Sequence, residues 1–313
     1  MKGVVVVDKP AGITSHDAVD RVRKLLGERK AGHTGTLDPM ATGVLPVCVG
    51  EATKIASFLA GDDKVYEVTM RLGVRTDTLD MTGQVLAEQE PRATEADVKA
   101  VLAVFAGKIS QVPPQYSAVK VGGKALYKWA RKGVRMEVPA REVEIREILL
   151  QGVEMPFVRF TVRCSKGTYI RTLCADMGDR LGCGAVLEKL RRTASGIFRQ
   201  EDAVRLDGDS DEGIRMRLRQ GLIPMSRALP GIGDIVIPPL MERKLMKGHQ
   251  PDAEGLAALQ IPSLATGDVV KFVSEGGCLV ALARMLVSAE EIPSLAPCVQ
   301  AARILRVFNE SSK

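Results

Sequence analysis

Between Phe157 and Cys164 the chain alternates without a break: Val158, Phe160, Val162 and Cys164 face one way, and Arg159, Thr161 and Arg163 face the other. That period of two marks a half-buried strand. Helical spacing follows, with Ile170, Leu173, Met177 and Leu181 on one face of a segment from Thr168 that closes at Gly182. The same mixture runs through the rest of the chain. Val4 to Val7 reads as a buried strand, and Asp8 to Gly12 turns the chain before Ser15, the expected cap of a helix carrying Val19, Val22, Leu25 and Leu26 up to Gly27. Val44 to Val49 and Val65 to Leu72 read as strands around a short helix, Glu51 to Leu59. Thr94 and Asp97 have the spacing of a capping box for a helix bearing Val98, Val101, Leu102 and Phe105, ended by Gly107. Val186 to Leu190 reads as a strand and Asp211 to Gln220 as a surface helix. Strands and helices intermix without the regular alternation of a doubly wound sheet, and no Gly-x-Gly-x-x-Gly opens a helix. The class expected is α+β.

A chain of 313 residues has room for about two domains. Pro and Gly become dense between Pro224 and Pro239, the best place for a boundary. Beyond it, short apolar runs at Val269 to Val273, Leu279 to Leu286 and Ile304 to Phe308 predict a small β-rich module. Hydrophobic residues at 45% and charged residues at 26% exclude a disordered chain, and a formal charge of +6 is compatible with a polyanionic partner. The six cysteines include no Cys-x-x-Cys pair, and only three histidines could join them, which argues against a zinc site or a disulfide framework. No apolar run approaches a membrane span, and the first residues lack a secretory pattern, so a reducing cytoplasm is expected.

Four stretches carry possible chemistry. Ala31 to Pro46 packs three glycines, two prolines and three threonines around a single carboxylate, Asp38. Such a loop can aim a side chain in one direction, although Asp before Pro is also an ordinary turn. Lys166-Gly-Thr-Tyr-Ile-Arg171 lies where the alternating strand passes into a helix, and there Tyr169 and Arg171 could point at a common spot. Arg171 would supply a fork for a carboxylate and favour its ionised form; a surface salt bridge beside a core tyrosine is the alternative. Val119 to Arg135 holds Lys120, Lys124, Lys128, Arg131, Lys132 and Arg135, no acid, the joint Gly122-Gly123, and Trp129 beside Tyr127. It reads either as a projecting arm for phosphates or as a solvated basic helix with Leu126 and Trp129 inward. Tyr66 sits near a strand start, and the loop with Asp77 and Asp80 offers two carboxylates, too few ligands for a metal site.

Taken together, these blocks resemble the TruB family of tRNA pseudouridine synthases. The resemblance rests on Asp8-Lys-Pro-Ala-Gly-Ile-Thr-Ser15, Gly32 to Pro46, Arg71-Leu-Gly-Val-Arg-Thr-Asp77, Pro113-Pro-Gln-Tyr-Ser-Ala118, Lys166 to Arg171 and Leu190-Arg-Arg-Thr193, in the family's order. It implies a mixed, largely antiparallel pseudouridine synthase catalytic domain over 1–230 with an inserted RNA-binding arm at about 112–135. A small β-rich PUA-like domain is implied over 234–309. The implied reaction converts uridine to pseudouridine at position 55 in the T-loop of tRNA, without cofactor or metal. By the same resemblance Asp38 is the catalytic carboxylate, kept ionised by Arg171. Tyr66, Tyr169, Arg171 and Leu190 bind the target nucleotide, His33 fills or stacks in the disrupted loop, and Lys120, Lys124, Lys128, Arg131 and Lys132 grip the RNA. A monomer with no obligatory protein partner is expected. An RNA-folding module and a guide-RNA-dependent relative remain the competing readings.

Overall fold

The computed structural model describes residues 1–309. A ten-stranded mixed sheet crosses the larger part of the chain. From one edge its path runs through Val204–Arg205, Gly3–Lys9, Thr42–Val49, Ala185–Ser195, Lys64–Leu72, Phe157–Cys164, Arg141–Glu154 and Gly107–Gln111. Most neighbours are antiparallel, but Ala185–Ser195 runs parallel to Thr42–Val49 and Val204–Arg205 runs parallel to Gly3–Lys9. The α+β class therefore holds. On the apolar face, Val68, Met70, Val158, Phe160 and Val162 pack against the helices Ser15–Leu26, Glu95–Val104 and Ile170–Arg180 in one core.

The local signals act largely as the residues suggest. Gly27 ends the first helix at φ 68° in the left-handed region, and Thr94 with Asp97 closes a reciprocal capping box. Two details differ. The first helix is capped by Thr14, not Ser15: Thr14 is extended and accepts from the Asp17 amide, while Asp17 accepts from the Thr14 backbone. Ser15 is thereby free to turn inward, where its hydroxyl has another use. The third helix stops at Val104 with Phe105 as its cap, and Gly107 (φ 93°) already opens the next strand.

The C-terminal segment forms its own four-stranded sheet, ordered Gly233–Ile237, Val269–Ser274, Leu279–Met285, Ala302–Val307. Its first strand lies inside the Pro/Gly-rich stretch, because Gly233 to Ile237 pairs in parallel with Val270 to Ser274. This sheet is not an isolated bead. Val273, Leu279, Leu282 and Phe308 share a buried core with Val4, Val6, Val44 and Cys48 of the large sheet. Lys271, 3% exposed, ties the two parts by donating to the carbonyls of Ser226 and Leu229.

Candidate active site

The Asp38 loop joins the strands Ala31–His33 and Thr42–Val49, which pair antiparallel. Backbone bonds fix its shape: Ala41 N donates to the Asp38 carbonyl at 3.0 Å, Gly12 N to Pro39 O at 2.8 Å and Thr34 N to Pro46 O at 3.2 Å. The Ser15 hydroxyl accepts from Leu37 N at 2.8 Å and donates to Leu37 O at 3.0 Å, so one buried side chain grips the residue before Asp38 twice. Lys9 is fully buried and donates to the carbonyls of Pro10, Ile13 and Pro39. Burial lowers its pKa to about 8. Gly43 has φ 102°, and a Cβ there would lie 2.2 Å from the Arg192 carbonyl. Only glycine lets the loop's outgoing strand approach Ala185–Ser195 this closely.

Arg171 reaches Asp38 with both arms of its fork. Its Nε lies 2.9 Å from Oδ2, and its Nη2 donates to Oδ1 at 3.1 Å. The guanidinium is 5% exposed and also donates to Thr78 O at 3.0 Å and Tyr116 O at 2.8 Å. A second carboxylate, Asp80, stands 3.6 Å from Nη1. Asp80 is itself buried, and it accepts from the Thr78 hydroxyl and from the amide and hydroxyl of Thr82. Leu79, in the left-handed region at φ 63°, is held in that loop by Leu187 N donating to its carbonyl. The expected pairing of Asp38 with Arg171 is present, and other groups also act on this carboxyl. Burial pushes the Asp38 carboxyl above its ordinary range, Arg171 pulls it back, and Asp80 pushes it up again, so the net direction is upward.

Asp38, Tyr66, Tyr169, Arg171 and Leu190 line one cavity of about 260 Å³. Tyr66 and Leu190 point into it for a simple reason of register: Tyr66 pairs with Arg192 and Val68 with Leu190 across neighbouring antiparallel strands, so all four share a face. Burial pushes the Tyr66 phenol up, partly offset by the Arg192 guanidinium beside it. Tyr169 precedes the helix Ile170–Arg180, where its amide donates to the Gln111 side chain at 3.1 Å. His33 is not in this cavity. It lines a separate surface groove with His16, Arg23, Arg29 and Lys30, and burial followed by the Arg192 charge lowers its pKa.

Sequence reasoning missed Lys9, Lys64, Asp80 and Arg192 as parts of this site. Arg192 is 1% exposed and donates to Val44 O at 2.7 Å and Gly35 O at 3.0 Å. Its signal was a charged residue at an apolar position, between Leu190 and Ala194 on the inward face. The Asp77 and Asp80 carboxylates serve the loop: Asp77 accepts from Gln84 N at 2.7 Å and from the Tyr116 hydroxyl at 3.4 Å. Among the described residues no group of three or more His, Cys, Asp and Glu is arranged to hold a metal ion.

The basic segment begins at the cavity wall, with Ser117 and Ala118 among the lining residues. It is a hairpin, Lys120–Val121 with Lys124–Ala125, followed by the short helix Leu126–Ala130. Gly122 and Gly123, at φ 58° and 80°, make its turn. At its base the Gln115 side chain pairs with the backbone N–H and C=O of Met136. Lys120, Lys124, Lys128, Arg131 and Lys132 are all exposed. Leu126 is the buried anchor, while Lys124 lies 5.1 Å over the Trp129 ring and Arg131 lies 5.5 Å over Tyr127.

Residues 23–170 match the TruB family pseudouridylate synthase N-terminal domain, and residues 171–230 match the tRNA pseudouridylate synthase B C-terminal domain. The tRNA pseudouridine synthase B of Syntrophus aciditrophicus is 47% identical over 99% of this chain and 99% of its own. That of Geobacter sulfurreducens is 42% identical over 99% of this chain and 100% of its own. The fold is also similar to a chain in the crystal structure of a Cbf5-Nop10-Gar1 complex, with a TM-score of 0.73 and 30% identity over 98% of this chain and 85% of that one. A chain of an H/ACA RNP bound to a substrate RNA containing 2′-deoxyuridine aligns with the same TM-score at 27% identity, covering 98% of this chain and 85% of that one. The protein belongs to the TruB family of tRNA pseudouridine synthases.

Proposed function

We propose that this chain isomerises uridine to pseudouridine at position 55, in the T-loop of tRNA, with Asp38 as the reacting carboxylate. One observation carries the assignment of Asp38: a loop fixed by backbone bonds presents it to the cavity, and Arg171 holds both of its oxygens. Family membership supports the reaction itself.

Reaching the glycosidic bond requires extruding the uridine from its stack, at a cost of a few kcal/mol. Inside the cavity, the ionised Asp38 either bonds to C1′ or removes the C2′ proton as the N1–C1′ bond breaks and its electron pair leaves with the uracil. The uracil turns until C5 faces C1′, and the new C5–C1′ bond forms as the Asp38–C1′ bond breaks or, in the second route, as Asp38 returns the proton to C2′. C5 then loses its proton and N1 gains one, so atoms and electrons balance without oxidant, reductant or consumed water. Arg171 keeps the carboxylate aimed, Tyr66 and Tyr169 offer ring surface to the base, and Leu190 supplies an apolar wall. Because burial raises its pKa, Tyr66 acts as a neutral phenol, a hydrogen-bond donor more than a base.

His33, outside the cavity, is suited to the space the extruded nucleotide leaves behind. The arm at about 112–135 then clasps the RNA with Lys120, Lys124, Lys128, Arg131 and Lys132. In this reading residues 1–230 form the catalytic domain and 234–309 a PUA-like RNA-binding domain, and the protein acts alone in the cytoplasm as a monomer. The likeness to Cbf5, which those structures show in assemblies, favours one second reading: action only with accessory partners. Purified chain on unmodified tRNA transcript decides between them, pseudouridine formation supporting the stand-alone enzyme. Asp38→Asn is expected to fold and bind tRNA but form no pseudouridine; turnover by that variant would remove Asp38 from the chemistry.

A further inference from the structure

Two buried cations of the Asp38 cavity form no ion pair among the described residues. Arg192 and Lys64 are 1% and 6% exposed, both line the cavity, and their side chains converge on Gly35. A Cβ built at that glycine would lie 3.5 Å from Arg192 Nη1 and 3.8 Å from Lys64 Cε. Their hydrogen bonds run to main-chain carbonyls, Val44, Thr36 and Gly35 for Arg192 and Ala60 and Asp62 for Lys64, and Arg192 also bonds the Tyr66 hydroxyl. Among the described residues neither forms an ion pair with a carboxylate, unlike Arg171, which faces Asp38 and Asp80. Lys166, exposed and likewise without an ion pair among those residues, adds a third cation to the same lining.

Holding carbonyls does not require charge. A neutral donor would satisfy the same acceptors without the desolvation cost of an ammonium or guanidinium, and without setting two like charges side by side. Two such groups beside a cavity are accounted for by an anion that arrives with the substrate. Three donors of this kind, two buried and one exposed, suit a phosphodiester.

We propose that Arg192 and Lys64, with Lys166, form a subsite for a backbone phosphate of the extruded nucleotide. The proposal rests on the RNA reading above and adds to it which part of the nucleotide these cations hold. Extrusion then has a driving contact: the phosphate exchanges its counter-ions for fixed cations only once the nucleotide has entered the cavity.

The test is a charge cycle. Dissociation constants are measured for wild type and Lys64→Gln, each with a T-arm RNA hairpin and with the same hairpin carrying one uncharged methylphosphonate linkage on the 5′ or the 3′ side of the target uridine. At one of the two linkages wild type is expected to lose about tenfold in affinity, and Lys64→Gln to lose about tenfold on the ordinary RNA with little further loss on the neutral linkage. The salt slope should fall by about one in either case. Independent, multiplying losses at both linkages, or no loss at either, would overturn the subsite. Should Lys64→Gln not fold, Lys166→Gln takes its place in the same cycle and is read by the same criterion. Pseudouridine formed by wild type on the ordinary hairpin is scored separately, so failure of the subsite and failure of the reaction give different results.

Discussion

Replacing Arg171 by Lys keeps the positive charge and removes the fork. In the wild type the guanidinium contacts Asp38 at 2.9 and 3.1 Å and donates to Tyr116 O at 2.8 Å and Thr78 O at 3.0 Å. A single ammonium can meet one Asp38 oxygen, or stay with the carbonyls, but cannot span both sets. One charge-assisted contact to Asp38 is therefore lost, worth about 1.5–3 kcal/mol. If that contact aims the carboxylate in the transition state, kcat falls by about 10- to 150-fold, while KM for tRNA changes little because in the proposed complex binding is spread over the arm. The pH profile supplies a second readout. Arg171 lowers the Asp38 pKa against burial and Asp80, so weakening it moves the acid limb of kcat to higher pH, and the deficit is largest in acid. The assay is single-turnover pseudouridine formation on T-arm RNA from acid to neutral pH, with thermal unfolding to confirm the fold. A kcat within threefold of wild type together with an unmoved acid limb would refute the argument, as would a loss confined to KM.

Three further outcomes follow from the same geometry. Gly43→Ala forces a Cβ to within 2.2 Å of the Arg192 carbonyl at a positive φ, and should destabilise the protein by about 3 kcal/mol in urea denaturation, with activity lost disproportionately; a cost under about 1 kcal/mol would show that the strands part easily. Replacing Lys124, Lys128 and Lys132 by Ala should flatten the salt dependence of tRNA binding, and an unchanged slope would return the arm to a solvated surface element. Lys9 has a folded pKa of about 8 against an ordinary 10.5, so between those values the unfolded chain binds a proton that the folded chain does not. Wild-type stability relative to Lys9→Met should therefore rise across that window, by about 3 kcal/mol; parallel profiles for the two proteins would refute it.

Much of the fold was legible because its signals are local. The Phe157–Cys164 strand announces itself by alternation, Gly27 by the left-handed cap it permits, and Thr94 with Asp97 by a capping box that closes within one turn. Ser15 was misread because Thr14 and Ser15 are both competent caps; the choice was made by Leu37, 22 residues away, which needs the Ser15 hydroxyl. The boundary near Pro224 hid the strand Gly233–Ile237, since an edge strand's pairing with Val269–Ser274 leaves no trace in its own composition. In the arm, Gly122-Gly123 signalled a joint but not which of two forms it served, and the structure gives a hairpin followed by one short helix.

By itself the sequence determined the mixed α+β class, the motif blocks of the family and the list of polar residues able to do chemistry. Each of these depends on spacing within a few residues of chain. Tertiary structure alone decided which of those residues share a cavity. Asp38 meets Arg171 across 133 residues, Arg192 reaches Val44 across 148, and His33, five residues from Asp38, lines a different groove. The upward direction of the Asp38 pKa belongs to the same level. Arg171 was visible as a partner, but the burial that outweighs it and the Asp80 carboxylate behind it exist only once distant strands have closed around the loop.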